Sequence, residues 1–258
     1  MPIEALAPMA RAAGFAGLSM RASALSVGST VERVRQVRAL LDREGLAVSM
    51  VMGNVALAAN TPDARECLAN IAPHLDLAER LGARLVRVML QQPEDIAAAQ
   101  RAADEAAERG MSLAQQTHWG TLCETIDQSI EVVRQVGRAN FGITLEPANL
   151  LACGDDIGPA AIARIAPHLV NVYIQSIRLD PDGAHRFHTR RRRTVRLSYV
   201  PLDDPSGIAA RPLIESLAAA GYDGWITVHQ PLRDGQAVPQ AIAEAARVFR
   251  PPVESAKR

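Results

Sequence analysis

Seven short apolar runs recur along the chain, separated by stretches in which apolar residues return every third or fourth position. The runs are "FAGLSMR" (15–21), "LAVSMVM" (46–52), "RLVRVML" (84–90), "MSLAQQT" (111–117), "FGITLEP" (141–147), "LVNVYIQ" (169–175) and "GWITVHQ" (224–230). Each predicts a strand. Between them, "TVERVRQVRALLDREG", "DARECLANIAPHLDLAERLG", "EDIAAAQRAADEAAERG", "ETIDQSIEVVRQVG", "IGPAAIARIAP" and "GIAARPLIESLAAAG" carry the helical period. Several close on the usual glycine stop, at Gly45, Gly82, Gly110, Gly137 and Gly221. The spacing is that of a βα unit, about 30 residues. Strands that are apolar on both faces suit a parallel sheet covered by helices. No Gly-rich phosphate loop follows any strand, which disfavours a doubly wound sheet. The pattern therefore predicts an α/β fold of the (β/α)8 barrel type, with an open α/β sheet as the alternative. The chain opens on an amphipathic helix, "MPIEALAPMARAAG", so the barrel is expected to lack its first strand.

Composition narrows the class further. The 258 residues are 48% hydrophobic and carry 28 basic and 28 acidic side chains, for a formal net charge of zero. One barrel domain over residues 1–258 is the expectation. A neutral balance gives no pull toward nucleic acid or a membrane surface, and no apolar run is long enough to span a bilayer. Cys67, Cys123 and Cys153 show no CxxC spacing, which argues for a reducing compartment and against a disulfide framework. A cytoplasmic protein is expected. A homo-oligomer is possible, since a missing strand leaves a sheet edge.

Alternation along each strand separates two faces. With the purely apolar set against the helices, the barrel axis receives Ser19 and Arg21; Arg87, Met89 and Gln91; Gln116 and His118; Thr144 and Glu146; Asn171, Tyr173 and Gln175; and Trp225, Thr227 and His229. The hydrogen-bonding members gather at the strand C-termini, where barrels of this kind place their active sites. Glu146 stands out, because a carboxylate aimed at a barrel axis is costly without a partner. Arg21 or Arg87 could supply that partner in a purely structural pair. His118 and His229, each unremarkable alone, join Gln116 and Glu146 at one depth. Trp119 and Trp225 read as pocket walls.

These segments resemble the xylose isomerase-like TIM barrels, the sugar phosphate isomerase/epimerase group that also includes endonuclease IV. "AAGFAGLSMR" resembles that family's second strand, "LGARLVRVML" its fourth, "LAQQTHWGTLCET" its fifth, "FGITLEPANLL" its sixth, "LVNVYIQS" its seventh and "AAGYDGWITVHQP" its eighth. The resemblance implies a divalent metal held by Glu, Asp, His and Glu from strands five to eight, the two glutamates acting as acid and base. The corresponding positions here are Gln116, Glu146, Tyr173 and His229, so only Glu146 keeps a carboxylate. His118 and Asn149 match secondary positions of the motif.

The expected function is an isomerase or epimerase acting on a small, sugar-like polyhydroxylated carbonyl compound by proton abstraction beside the carbonyl. Glu146, His229 and His118 would be the catalytic groups. Arg21, Arg87, Gln116, Asn149, Tyr173, Gln175 and His188 would bind substrate. Either no cofactor is expected, or a weakly bound Mn, Zn or Mg ion on Glu146, His229 and Gln116. A non-catalytic binder of sugar-like molecules, or a lyase or hydrolase using the same pocket, are the alternatives. The run "HRFHTRRRRTVRLSY" (185–199) is expected in a long connection, as a lid whose arginines hold an anionic substrate or as a solvated loop, with His188 reaching the pocket.

Overall fold

The structure, a computed structural model, describes residues 1–53 and 63–249. All seven expected strands form: β1 (Gly17–Met20), β2 (Ala47–Met52), β3 (Leu85–Val88), β4 (Ser112–Gln116), β5 (Phe141–Leu145), β6 (Leu169–Ile174) and, late in the chain, β10 (Ile226–Val228). They make one parallel sheet in the order β1-β2-β3-β4-β5-β6-β10. The sheet curls into a nearly closed barrel. Among the described residues, β10 and β1 do not pair with each other.

Side chains bridge the seam between β1 and β10. The Trp225 ring lies against Gly17, so close that a Cβ there would sit 3.1 Å from the ring and 2.7 Å from the Ala47 carbonyl. Only glycine fits that approach. Trp225 therefore fills the seam rather than walling a pocket. Above it, the Ser19 hydroxyl and the Tyr173 phenol share a hydrogen bond of 3.0 Å across the gap. Outside, helix α1 (Ile3–Ala12) packs on both α2 (Val31–Glu44) and α10 (Val238–Phe249), bridging the two ends of the helical layer.

The helices form where the period predicted them, with three differences, the first being α10, which forms where no helix was expected. The stretch 63–82 is not one helix but two, α3 (Asp63–Ala69) and α4 (Ala72–Arg80). Pro73 lacks an N–H and is tolerated only in the first turn, so it restarts the helix rather than continuing it. A short helix, α7 (Pro147–Cys153), follows β5 directly. The others are α5 (Asp95–Glu108), α6 (Ile126–Val136), α8 (Pro159–Ile165) and α9 (Ala210–Ala219). Caps set their ends: the Thr125 hydroxyl accepts from the Gln128 N–H at 3.1 Å, and Gly137 ends α6 at φ 59°.

The core has two sides. Between sheet and helices lie Leu41, Leu75, Leu81, Val86 and Ile143, all fully buried. Each such burial contributes roughly 1.5–3 kcal/mol. Inside the barrel, Met50, Met52, Leu85, Ala114 and the Tyr173 ring make a smaller apolar plug.

The arginine-rich stretch is not a loop. Residues 177–199 build an antiparallel sheet in the order β7-β9-β8, from β7 (Ile177–Leu179), β8 (His185–Thr189) and β9 (Arg193–Tyr199). Ile177 and Leu197 of its inner face pack on Ala148 and Ala152 of α7, with Phe187 and Tyr199 against them. The alternation of Phe187, Thr189, Val195 and Leu197 with polar residues carries this period-two signal. The four consecutive arginines sit at the hairpin turn, with Arg193 at φ 58°.

Candidate active site

Glu146 is where β5 ends and α7 begins. Its backbone is extended, at φ −130° and ψ 96°, and Pro147 starts the helix with its preset φ. The Thr117 hydroxyl fixes the junction, accepting from the Glu146 N–H at 2.7 Å. One helical turn on, the Asn149 amide folds back and donates to the Glu146 carboxylate Oε2 at 2.8 Å and to the Thr117 carbonyl at 2.9 Å. The sequence "LEPAN" thus encodes both the carboxylate and one of its donors.

Three more donors reach that carboxylate from other strands. The Gln116 Nε2 at the end of β4 donates to Oε2, and the Gln175 Nε2 just past β6 donates to Oε1. The His229 Nδ1, just past β10, lies 2.9 Å from Oε1. Against an ionised carboxylate this nitrogen must carry the proton, so Nδ1–H donates and Nε2 keeps its lone pair. A carboxylate has about four acceptor positions, and here each oxygen receives two N–H donors. Glu146 is 1% exposed. Burial alone would raise its pKa. The neighbouring His229, with its hydrogen bond, and then His118 and Arg87 outweigh that and hold it below the usual carboxylate range.

The two imidazoles are held differently. His229 stacks on the Tyr173 ring, with centroids 4.5 Å apart, and its side chain stays 22% exposed. Its Nε2 meets no protein partner among the described residues. The His118 Nδ1 lies 2.8 Å from the Trp119 carbonyl, which can only accept, so Nε2 is again the bare nitrogen. Burial, reinforced by the Arg87 charge, pushes the His118 pKa down to about 4. His118 is therefore neutral near pH 7 and cannot donate from Nε2. Tyr173 is fully buried and its pKa rises to about 12, chiefly from burial, so the phenol stays protonated. Arg87 is also fully buried, within electrostatic reach of Glu146, Tyr173 and Arg21. Arg21 lies at the end of β1, toward solvent, and feels the same two groups.

Nine of the ten expected residues thus gather around one point: Glu146, His229, His118, Gln116, Asn149, Gln175, Tyr173, Arg87 and, at the rim, Arg21. His188 does not join them. It is exposed on β8, and its neighbour Phe187 turns inward, onto the Trp119 ring at 5.1 Å. Strand alternation sends adjacent residues to opposite faces.

The arginine turn also does something other than expected. The Arg190 guanidinium donates to the Gln91 and Gly120 carbonyls. The Arg190 and Arg191 backbone N–H groups donate to the Glu124 carboxylate at 2.8 and 3.2 Å, and Gly120 N–H does so at 2.7 Å. Glu124 is 1% exposed. The hairpin is thereby latched to the loop that carries His118 and Trp119. Thr117 and Glu124 escape sequence reading: alternation assigns Thr117 to the outer face, and Glu124 looks like one more acid ahead of a helix cap.

The resemblance drawn above implies a dication at this point, and the residues present do not fit one. A hard dication needs several oxygen anions. Glu146 is the one carboxylate, and N–H groups fill its acceptor positions. The Tyr173 phenol is protonated and bonded to Ser19. The His229 nitrogen nearest the centre is spent on Glu146 itself. Among the described residues, no three His, Cys, Asp or Glu side chains are grouped to hold a metal.

A curled parallel sheet with an acid–base constellation at its C-terminal rim defines the class, an α/β barrel built like an enzyme. The chain belongs to the xylose isomerase-like TIM barrel family, which it matches over residues 8–251. It is 27% identical over 267 residues to the rhizopine catabolism protein MocC of Rhizobium meliloti, covering 94% of this chain and 79% of that one. It is 23% identical over 150 residues to the inosose dehydratase of Geobacillus thermodenitrificans, across 58% of this chain and half of the relative. Its fold is that of D-psicose 3-epimerase of Clostridium cellulolyticum, solved with D-tagatose, at a TM-score of 0.68 and 16% identity, over 96% and 92% of the two chains. Among the described residues no helix is long and apolar enough to cross a membrane.

Proposed function

We propose that this chain is an enzyme acting on a small polyhydroxylated carbonyl compound, and that it isomerises that compound through a single base, His229. The observation that carries this reading is the Glu146–His229 pair at the barrel mouth. Glu146 fixes the imidazole tautomer, leaving the Nε2 lone pair free for a substrate proton, as a general base requires. The proton on the carbon beside the carbonyl passes to Nε2. The electron pair left behind forms an enediolate, whose oxygen faces the Arg21 guanidinium. The hydroxyl proton on the deprotonated carbon passes to the former carbonyl oxygen, and the imidazolium returns its own proton to the former carbonyl carbon, so the carbonyl has moved by one carbon. Gln116 Oε1 is buried without a donor, and a substrate hydroxyl would supply one.

Inversion by two bases on opposite faces is disfavoured, because the second base would have to alternate between protonated and bare forms near neutral pH. His118 stays bare there. The same single base could instead hand its proton to a departing hydroxyl, completing a dehydration. The similarity to an inosose dehydratase supports that second reading.

Exchange of solvent deuterium into the carbon beside the carbonyl tests the shared first step, followed by NMR over a panel of ketoses, aldoses and inososes. Exchange is expected in the wild-type protein and absent in His229→Asn. Product analysis then separates isomer from dehydrated product. Ligand-induced stabilisation with no exchange on any panel member would overturn the reading in favour of a non-catalytic binder.

A further inference from the structure

We infer that the amides of Gln116, Gln175 and Asn149 have taken over the electrostatic task that a divalent cation performs in a barrel of this design, so that this site works without a metal. The inference concerns what balances the Glu146 charge, and it stands whether the reaction is isomerisation, dehydration or neither.

A buried carboxylate must be met by positive potential or it will take up a proton. A cation would supply that potential at one point and would need further anionic oxygens to complete its shell. Here the potential comes instead from four N–H dipoles, three from strand ends and one from the first turn of α7, two on each oxygen. The amides are not interchangeable with ligands in this arrangement. An amide bonds a metal through oxygen, yet Gln116, Gln175 and Asn149 all turn nitrogen toward Glu146. Seating a cation between Gln116 and Glu146 would mean reversing the Gln116 amide and giving up the N–H donors on Oε2. The Tyr173 phenol, at another position where the resemblance implies a ligand, is occupied by Ser19 and stacked beneath His229.

Replacing the right amide by a carboxylate should reverse the logic. In Gln116→Glu two buried carboxylates face each other with His229 beside them, an arrangement that repels itself until a cation enters.

The test reads metal, not turnover. Elemental analysis of the purified wild-type protein should find no stoichiometric Mg, Mn, Zn or Fe. Calorimetric titration with MnCl2 or ZnCl2 should give no saturable one-to-one binding at the site, and the melting temperature should not change with Mn²⁺. Gln116→Glu should melt lower than wild type in chelator and recover in Mn²⁺. One tightly held ion per wild-type chain, lost in Glu146→Gln, would overturn the inference. So would a folded Gln116→Glu whose melting temperature ignores Mn²⁺. If that variant does not fold, the wild-type titration alone decides.

Discussion

His118 should make the fold sensitive to mild acid, by an amount that follows from its surroundings. Its ring is 6% exposed, and burial beside Arg87 holds its pKa at about 4. An unfolded chain protonates histidine near 6.5. Between those values the unfolded chain binds a proton that the folded chain refuses. Protonation therefore favours unfolding, and stability falls as pH drops. The gap of 6.5 minus about 4 corresponds to about 3 kcal/mol once pH lies below both values, and to about 2 kcal/mol between pH 7 and pH 5. Replacing His118 with Asn keeps a donor for the Trp119 carbonyl and removes the titration. Urea unfolding of both proteins at pH 7 and pH 5 isolates the term, because other groups contribute equally to each and cancel in the double difference. The wild type should lose about 2 kcal/mol more than His118→Asn over that interval. NMR titration of the His118 ring should meanwhile show no protonation until well below pH 6. Equal losses in the two proteins, or a ring that titrates near 6.5, would refute the reasoning.

Other changes have equally specific consequences. Glu146→Gln should lower the melting temperature and remove acid sensitivity below the usual carboxylate range. The folded-state pKa of Glu146 is depressed, so its stabilisation is present above the unfolded value and lost as pH falls through the folded one. His229→Asn should fold normally yet lose about 10²- to 10⁴-fold in kcat on whatever substrate the panel identifies. Glu124→Ala strands the N–H groups of Gly120, Arg190 and Arg191, and trypsin should then cut the arginine turn faster than in wild type. Gly183→Ala should cripple the hairpin, since a Cβ there would lie 2.4 Å from the Leu197 carbonyl oxygen; circular dichroism melts would show the loss.

Most of the barrel was legible because its physics is local. Period-two and period-3.6 patterns and glycine stops fix where strands and helices lie, and parallel connectivity follows from their alternation. The site was legible for a related reason. Once Glu146 is placed at a strand end, alternation forces Gln116, Tyr173, Gln175 and His229 to the same rim. The hairpin at 177–199 was missed because "TRRRRT" reads as solvated charge, whereas the information lies in Phe187, Val195 and Leu197 on its other face. His188 was misplaced by the same error: without the strand, nothing says which way it turns. The Glu124 latch could not have been read at all. Its partners on the hairpin are backbone groups some 66 residues away, which have no sequence signature.

The amide at position 116 and the carboxylate at position 146 are connected. Had Glu146 also become neutral, the four converging N–H groups would have lost their acceptor, and each stranded donor would cost about 1–3 kcal/mol. Had a second carboxylate remained at position 116, it would have faced Glu146 across a site that N–H groups alone could not neutralise. One carboxylate with four donors is the arrangement that gives each Glu146 carboxylate oxygen two N–H partners. It also leaves an imidazole nitrogen bare on the half-buried His229. That nitrogen is the one site group both oriented by a buried anion and open toward solvent. On the reading proposed above, chemistry runs through His229, whose proton goes back to the molecule that supplied it or out to water. A barrel working through one base is suited to moving a proton along one face of its substrate.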